Sequence, residues 1–211
     1  MLICVPIKER SVKDCLKSLK KAQKIGDMVE IWFDSLSTID QIQDLFKIKS
    51  KPIIYKVEKI NNSFHEILQT KAIDYLDLDL STPQKVIKKI KANYPDLKII
   101  ISFHDFKKTP SLETLEKITG RMLKNHADIV KVATFANNFK DSMTILELLG
   151  KLAAMDIKAI CLAMGKEGEF TRIAGQFLGN YLMYAPMSED HKTAPGQITV
   201  KELKKILNSI N

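Results

Sequence analysis

The sequence is poor in cysteine, and no spacing organises the few it has. Cys4, Cys15 and Cys161 are odd in number and include no C-x-x-C pair. That leaves no disulfide framework and no thiolate zinc site, and it suits reduced core thiols in a cytoplasmic protein. Glycine is scarce too, 8 in 211 residues. It forms neither a G-x-G-x-x-G turn nor a Walker loop, the backbone cradles that hold dinucleotides and nucleoside triphosphates. No window approaches the roughly 20 consecutive apolar residues of a membrane span. The apolar start Met1-Leu-Ile-Cys-Val-Pro-Ile7 is too short for a secretory signal and has no basic leader. Aromatic side chains make up 7% of the chain and are not interleaved with basic runs, so nucleic acid is not an expected partner. Linkers, low-complexity tracts and signs of a second domain are also missing.

What the chain does have is positive charge and a repeat. Lys+Arg 33 against Asp+Glu 25 gives a net +8, which favours an anionic partner such as a small carboxylate or phosphate. At 45% hydrophobic content the chain can bury a sizeable core. Apolar, β-branched runs alternate with segments of three-to-four-residue apolar spacing. Strands are expected at Leu2–Pro6, Met28–Phe33, Pro52–Val57, Ile73–Leu78, Lys98–Phe103, Ile129–Ala133, Ile157–Ala163 and Tyr181–Tyr184. Helices are expected at Val12–Lys24, Thr38–Phe46, Phe64–Lys71, Pro83–Asn93, Leu112–Asn125, Asp141–Met155, Phe170–Leu178 and Val200–Leu207. Thr82 would cap the fourth helix with Pro83 in its first position, and Ser111 precedes the fifth. This pattern predicts an α/β chain forming a single-domain (β/α)8 TIM barrel over residues 1–211. An open doubly wound sheet is the alternative, but it would end the repeat sooner and usually carries a Gly-rich turn after its first strand.

In a barrel, function sits at the carboxyl ends of the strands. The polar residues there are Glu30 and Asp34, Asp77 and Asp79, His104 and Asp105, Lys131, Arg172, and Thr193 with Gln197. Lys131 stands inside the apolar run Asp128-Ile-Val-Lys-Val-Ala-Thr-Phe-Ala136. Two readings are open: a strand-end lysine that snorkels to water, or a buried amine available for covalent chemistry. A lysine, a histidine, a carboxylate and an arginine converging on one mouth would be enough for amine-based catalysis with an acid-base partner.

Four segments, in order, resemble the motifs of type I 3-dehydroquinate dehydratases: Ser102-Phe-His-Asp-Phe-Lys-Lys-Thr-Pro110, Ile129-Val-Lys-Val-Ala133, Met164-Gly-Lys-Glu-Gly-Glu-Phe-Thr-Arg172 and Ala194-Pro-Gly-Gln197. The resemblance runs from Ile3 to the last helix. It implies a cofactor-free, metal-free lyase of the shikimate pathway, on the route to chorismate and the aromatic amino acids, removing water from 3-dehydroquinate. By that resemblance Lys131 forms the Schiff base with the substrate ketone and His104 moves the protons. Glu30 orients His104 or holds a substrate hydroxyl. Arg172 clamps the substrate carboxylate, Thr193 and Gln197 bind the same end, and Met164, Phe106 and Tyr184 wall the site. It also implies that the partner is a small carboxylate, that two copies can pair as a homodimer, and that the enzyme is cytoplasmic.

Two positions depart from the family pattern. Trp32 and Glu58 stand where its second and third strands usually carry arginine, and Lys56 or Lys59 is the expected source of replacement charge. Three functions remain open: the dehydratase, a Schiff-base lyase or aldolase-like barrel acting on another hydroxy-ketone, and a weakly active barrel with a binding role. His65 and His126 have no partner at metal-ligand spacing. His191 lies in the polar loop Ser188–Lys192, read as a mobile lid ahead of Thr193.

Overall fold

In a computed structural model of the chain, residues 2–38 and 41–210 are described. Eight strands alternate with eight α-helices: β1 (Leu2–Ile7), α1 (Val12–Ile25), β2 (Met28–Ile31), α2 (Ile42–Lys47), β3 (Ile53–Lys56), α3 (Asn62–Gln69), β4 (Tyr75–Asp79), α4 (Gln84–Asn93), β5 (Lys98–Asp105), α5 (Leu112–Lys124), β6 (Ile129–Phe135), α6 (Phe139–Ala154), β7 (Ala159–Met164), α7 (Glu169–Ala174), β8 (Leu182–Tyr184) and α8 (Val200–Ile210). All paired strands are parallel, in the order β7-β6-β5-β4-β3-β2-β1-β8. The sheet therefore curls into a (β/α)8 barrel, as the repeat predicts, with β7 and β8 meeting at the seam. No helix among the described residues is long and apolar enough to cross a membrane.

The seam is not a ladder like the others. Tyr181 N donates to Ala159 O at 2.8 Å. Beyond that point side chains take over: Cys161 N donates to Asn180 Oδ1 at 2.9 Å, and Ala163 N donates to Thr171 Oγ1 at 2.9 Å. Buried backbone donators on β7 are thereby satisfied without a neighbouring strand.

Local chemistry sets the helix starts. Ser11, Asn61, Ser111 and Asn138 each accept a hydrogen bond from the backbone N–H three residues on, the usual N-cap arrangement. The fourth helix differs from expectation. Pro83, with φ −58° and ψ 135°, is itself the cap residue, and the helix begins at Gln84. Thr82 is drawn away because its N–H closes a turn onto Asp79 O at 2.9 Å. The second strand stops at Ile31, and the chain bends into a 3-10 turn at Phe33–Ser35. There Asp34 accepts from Tyr55 Oη and from Glu58 N, so it braces the loop after β3. The second helix is described only from Ile42, since Ile39 and Asp40 of its expected span lie outside the described residues. The seventh ends at Ala174 rather than Leu178, giving way to turns through Gly175 and Gly179, whose φ is +87°. In contrast, β5 and β6 each extend two residues past their expected ends, which brings His104 into the sheet.

Two apolar layers result. The larger lies between sheet and helices, and a smaller one fills the barrel lumen with Cys4, Met28, Ile54, Ile100, Ile129, Ile160 and Leu182. Above that floor the inward positions turn polar. Glu30, Lys56, Asp77, Ser102 and Lys131 are all buried. Side chains on a strand alternate faces, so each of these shares its lumen face with an apolar residue two positions earlier.

Candidate active site

Lys131 is 5% exposed, so it does not snorkel. Its Nζ donates to Asp77 Oδ2 at 2.6 Å and to Tyr184 Oη at 3.1 Å, and Glu30 Oε2 lies 3.5 Å away. Burial pulls the ammonium towards deprotonation, but Asp77 and Glu30 outweigh it and hold the Lys131 pKa above its ordinary value. The resting side chain is a charged donor pinned by carboxylates. Glu30 accepts from Trp32 Nε1 at 2.9 Å through Oε1, whereas its buried Oε2 has no hydrogen-bond partner. Its one bonded oxygen faces Trp32 and the other faces Lys131, so neither is given to His104.

His104 stacks on Phe106, ring centroids 6.0 Å apart and 11° from parallel. Burial, then the positive charges of Lys131 and Lys56, push its pKa down to about 3 against the smaller opposing pull of Asp77 and Asp79. The ring is neutral at physiological pH and can accept a proton.

Arg172 reaches the same space from α7. Thr171, beside it, accepts from Ala163 N and donates to Gly168 O, which ties this short helix to the end of β7. Gly168 leaves no room for a side chain, since a Cβ there would lie 2.5 Å from Ala163 C. Arg172 is 1% exposed. One nitrogen, Nη2, donates to Pro195 O at 3.4 Å, and Nε and Nη1 are buried without partners. Burial lowers its pKa to about 10, with Glu169 opposing. A desolvated cation with free donors is a site prepared for an anion.

The adjoining wall is a turn held by two glycines. Gly165 (φ +82°) and Gly196 (φ +73°) meet back to back, and a Cβ on Gly196 would lie 2.4 Å from Gly165 O. In this turn Gln197 Oε1 accepts from Thr193 N at 2.7 Å and Ala194 N at 3.2 Å, so Thr193 and Gln197 form one unit.

Glu30, His104, Phe106, Lys131, Met164, Arg172, Tyr184, Thr193 and Gln197, all expected from the sequence, line one narrow cavity of about 70 Å³ together with Trp32 and Ala194. The other strand-end carboxylates have structural work. Asp79 accepts from Ser81 N, and Asp105 from Lys107 N. Lys56 does not supply charge at the mouth. It points into the lumen, where its Nζ donates to Asp77 Oδ1 at 2.9 Å and Ser102 Oγ at 3.0 Å. Lys8 lies beside the two departing positions, 4.0 Å over the Trp32 ring and 3.8 Å from Glu58 Oε1. Its position just past an apolar strand gave no sequence signal. Asp77 holding two lysines was also not legible, although a second lysine in an apolar strand, Ile53-Ile-Tyr-Lys56, was a hint of the same kind as Lys131.

His65, His126 and His191 lie off the cavity. His126 takes the left-handed conformation after α5 (φ 63°), and His191 Nδ1 pairs with Ser188 Oγ at 2.7 Å. Among the described residues no group of three or more His, Cys, Asp or Glu is placed to hold a metal ion.

The (β/α)8 barrel thus gathers a buried lysine, a neutral histidine and an arginine with unpartnered donors around one cavity, the composition of an enzyme site. The family model for type I 3-dehydroquinase matches residues 3–211, and the chain belongs to that family of hydro-lyases. It is 36% identical to a 3-dehydroquinate dehydratase of Methanococcus maripaludis (strain C7) across 99% of this chain and 100% of that one. Its identity to the 3-dehydroquinate dehydratase of Methanocaldococcus jannaschii is 35%, over 97% of each. Among solved structures, the type I 3-dehydroquinate dehydratase of Clostridium difficile, crystallised with covalently modified comenic acid, is 28% identical. The two superpose with a TM-score of 0.86 over 99% of this chain and 91% of that one.

Proposed function

We propose that the chain is a 3-dehydroquinate dehydratase that forms an imine on Lys131. The observation that carries this reading is the pairing, in one cavity, of a buried lysine amine with a buried arginine whose Nε and Nη1 lack partners. Arg172 takes the substrate carboxylate, which fixes the ketone towards Lys131. Arriving substrate displaces the ammonium from its carboxylates, and the proton passes to Glu30 Oε2, the unpartnered acceptor 3.5 Å away. The free amine adds to the ketone, and the carbinolamine hydroxyl leaves as water with the proton returned from Glu30, giving a protonated imine. That imine is a stronger electron sink than the ketone, so neutral His104 can take the adjacent α proton. The resulting enamine pushes out the β hydroxyl, which leaves as water with the proton from His104. Hydrolysis of the imine then releases 3-dehydroshikimate and restores the amine.

Thr193 and Gln197 hold the carboxylate end, Met164 and Phe106 exclude water, and Glu30 also serves a substrate hydroxyl. A cytoplasmic setting, which suits three free buried thiols, and pairing of two copies belong to the same proposal. One observation favours a second substrate of the same chemistry: Trp32 and Glu58, bridged by Lys8, give the mouth a different hydroxyl-binding edge. That reading predicts a poor kcat/KM for 3-dehydroquinate beside another hydroxy-ketone acid.

Borohydride reduction in the presence of 3-dehydroquinate, followed by peptide mass analysis, tests the proposal. The expected result is a reduced adduct on Lys131, absent in Lys131→Ala. In His104→Ala the adduct persists while turnover falls by about 10²–10⁴. No adduct on folded wild-type protein, or an active Lys131→Ala, would overturn it.

A further inference from the structure

Lys56 is unused by the mechanism above, yet it is one of two lysines buried in the lumen. Its side chain is 10% exposed, and Asp77, between it and Lys131, is fully buried. Each oxygen of Asp77 takes one ammonium, Oδ1 from Lys56 at 2.9 Å and Oδ2 from Lys131 at 2.6 Å. Lys56 is fixed further by Ser102 Oγ, which in turn donates to Leu78 O.

We propose that Lys56 is a positioning residue for imine formation, dividing the charge of Asp77 so that the Lys131 amine gives up its proton more readily. The inference rests on the reading of Lys131 as the imine-forming residue.

The charges facing Lys131 can be followed strand by strand. Cys4 comes from β1, Glu30 from β2, Lys56 from β3, Asp77 from β4, Ser102 and His104 from β5, and Tyr184 from β8, while β7 offers only Ile160 and Leu162; Arg172 faces the cavity from α7. Beneath the cavity the strong charges are two carboxylates and two ammoniums. With an uncharged side chain in place of Lys56, Glu30 and Asp77 would both act on Lys131 alone, and the free amine would be scarcer still at neutral pH. A neighbouring cation is a recognised way of activating such a lysine. Sharing one carboxylate also fixes the direction of Lys131, because Asp77 cannot rotate towards it without breaking its bond to Lys56.

A buried ion pair that only braced β3 against β4 would leave the acidity of Lys131 unchanged, which gives the test its discriminating readout. The rate of borohydride-reducible adduct formation with 3-dehydroquinate is followed against pH in wild type, Lys56→Met, Lys56→Gln and Lys56→Arg, with circular dichroism confirming the fold. Adduct formation is read rather than turnover, because the proton transfers of His104 belong to later steps. In Lys56→Met and Lys56→Gln the rising limb is expected to move about 1 to 2 pH units upward, whereas Lys56→Arg returns it towards wild type. If either neutral variant is folded and its limb has not moved, or if Lys56→Arg shifts as far as Lys56→Met, the inference is overturned. A wild-type protein without an adduct on Lys131 overturns the imine reading itself, which keeps the two failures apart.

Discussion

Replacing Arg172 with methionine should make the unliganded protein more stable and much worse at holding its substrate. Burial takes the guanidinium from its ordinary value down to about 10. At ~1.4 kcal/mol for each tenfold change in acidity, the charge costs the folded state about 3 kcal/mol. Methionine is flexible enough to fill much of the vacated space, so most of that cost is recovered. In a chain of this size about 3 kcal/mol raises Tm by roughly 6–12 °C, and the gap left by the shorter side chain sets the result below that ceiling. Binding moves the other way. Nε and Nη1 have no protein partner and are free for a carboxylate. Two charge-assisted hydrogen bonds of ~1.5–3 kcal/mol each imply at least a ~10²-fold rise in KM. Differential scanning fluorimetry with and without substrate analogue, beside steady-state kinetics, measures both effects. An Arg172→Met protein that melts below wild type without ligand and keeps its KM would refute the reasoning.

Two further outcomes follow from the same cavity. Gly196→Ala places a methyl 2.4 Å from Gly165 O at a φ of +73°, costing about 1–2 kcal/mol for the backbone conformation alone; lower Tm and higher KM are expected, because Pro195 O also orients Arg172, and an unchanged Tm would count against the two-glycine contact. His104 falls from an ordinary 6.5 to about 3, so between those values the unfolded chain binds a proton that the folded chain does not. Stability therefore falls as pH drops below about 6.5. Denaturant midpoints of His104→Phe should be flatter between pH 6.5 and 3.8, above the interval in which Asp77 titrates. An equally steep profile would show that His104 is not the group responsible.

The architecture was readable because each strand and helix carries its own period, and a misplaced boundary does not change the repeat. Errors gathered where tertiary contacts decide the last turn. Thr82 looks like a cap until its N–H is taken by Asp79, and α7 stops early because the seam needs the segment from Gly175 to Asn180. His104, Lys131 and Arg172 were legible through motif order, which places each at the end of a strand or in the loop beyond it. Lys56 was misjudged for a geometric reason. From composition alone a lysine near a strand end serves the mouth, but strand parity puts Lys56 on the same face as Ile54, and its pairing opposite Asp77 turns it inward. The place of Lys8 was invisible because its partners, Trp32 and Glu58, come from two other strand ends.

The β7–β8 seam bears on how the hoop of strands tolerates error. Seven ladders fix the stagger of each strand on the next, and any misfit accumulated around the circuit must be taken up where the last two strands meet. There a single backbone bond, from Tyr181 N to Ala159 O, is followed by the side chains of Asn180 and Thr171 in place of a continuous second backbone. The seam thus works as the expansion joint of the barrel. Thr171 is the residue before Arg172, so slack absorbed at the joint is delivered to the arginine that meets the substrate. Substitutions on the far side of the barrel that alter strand stagger should be felt first as altered anion affinity.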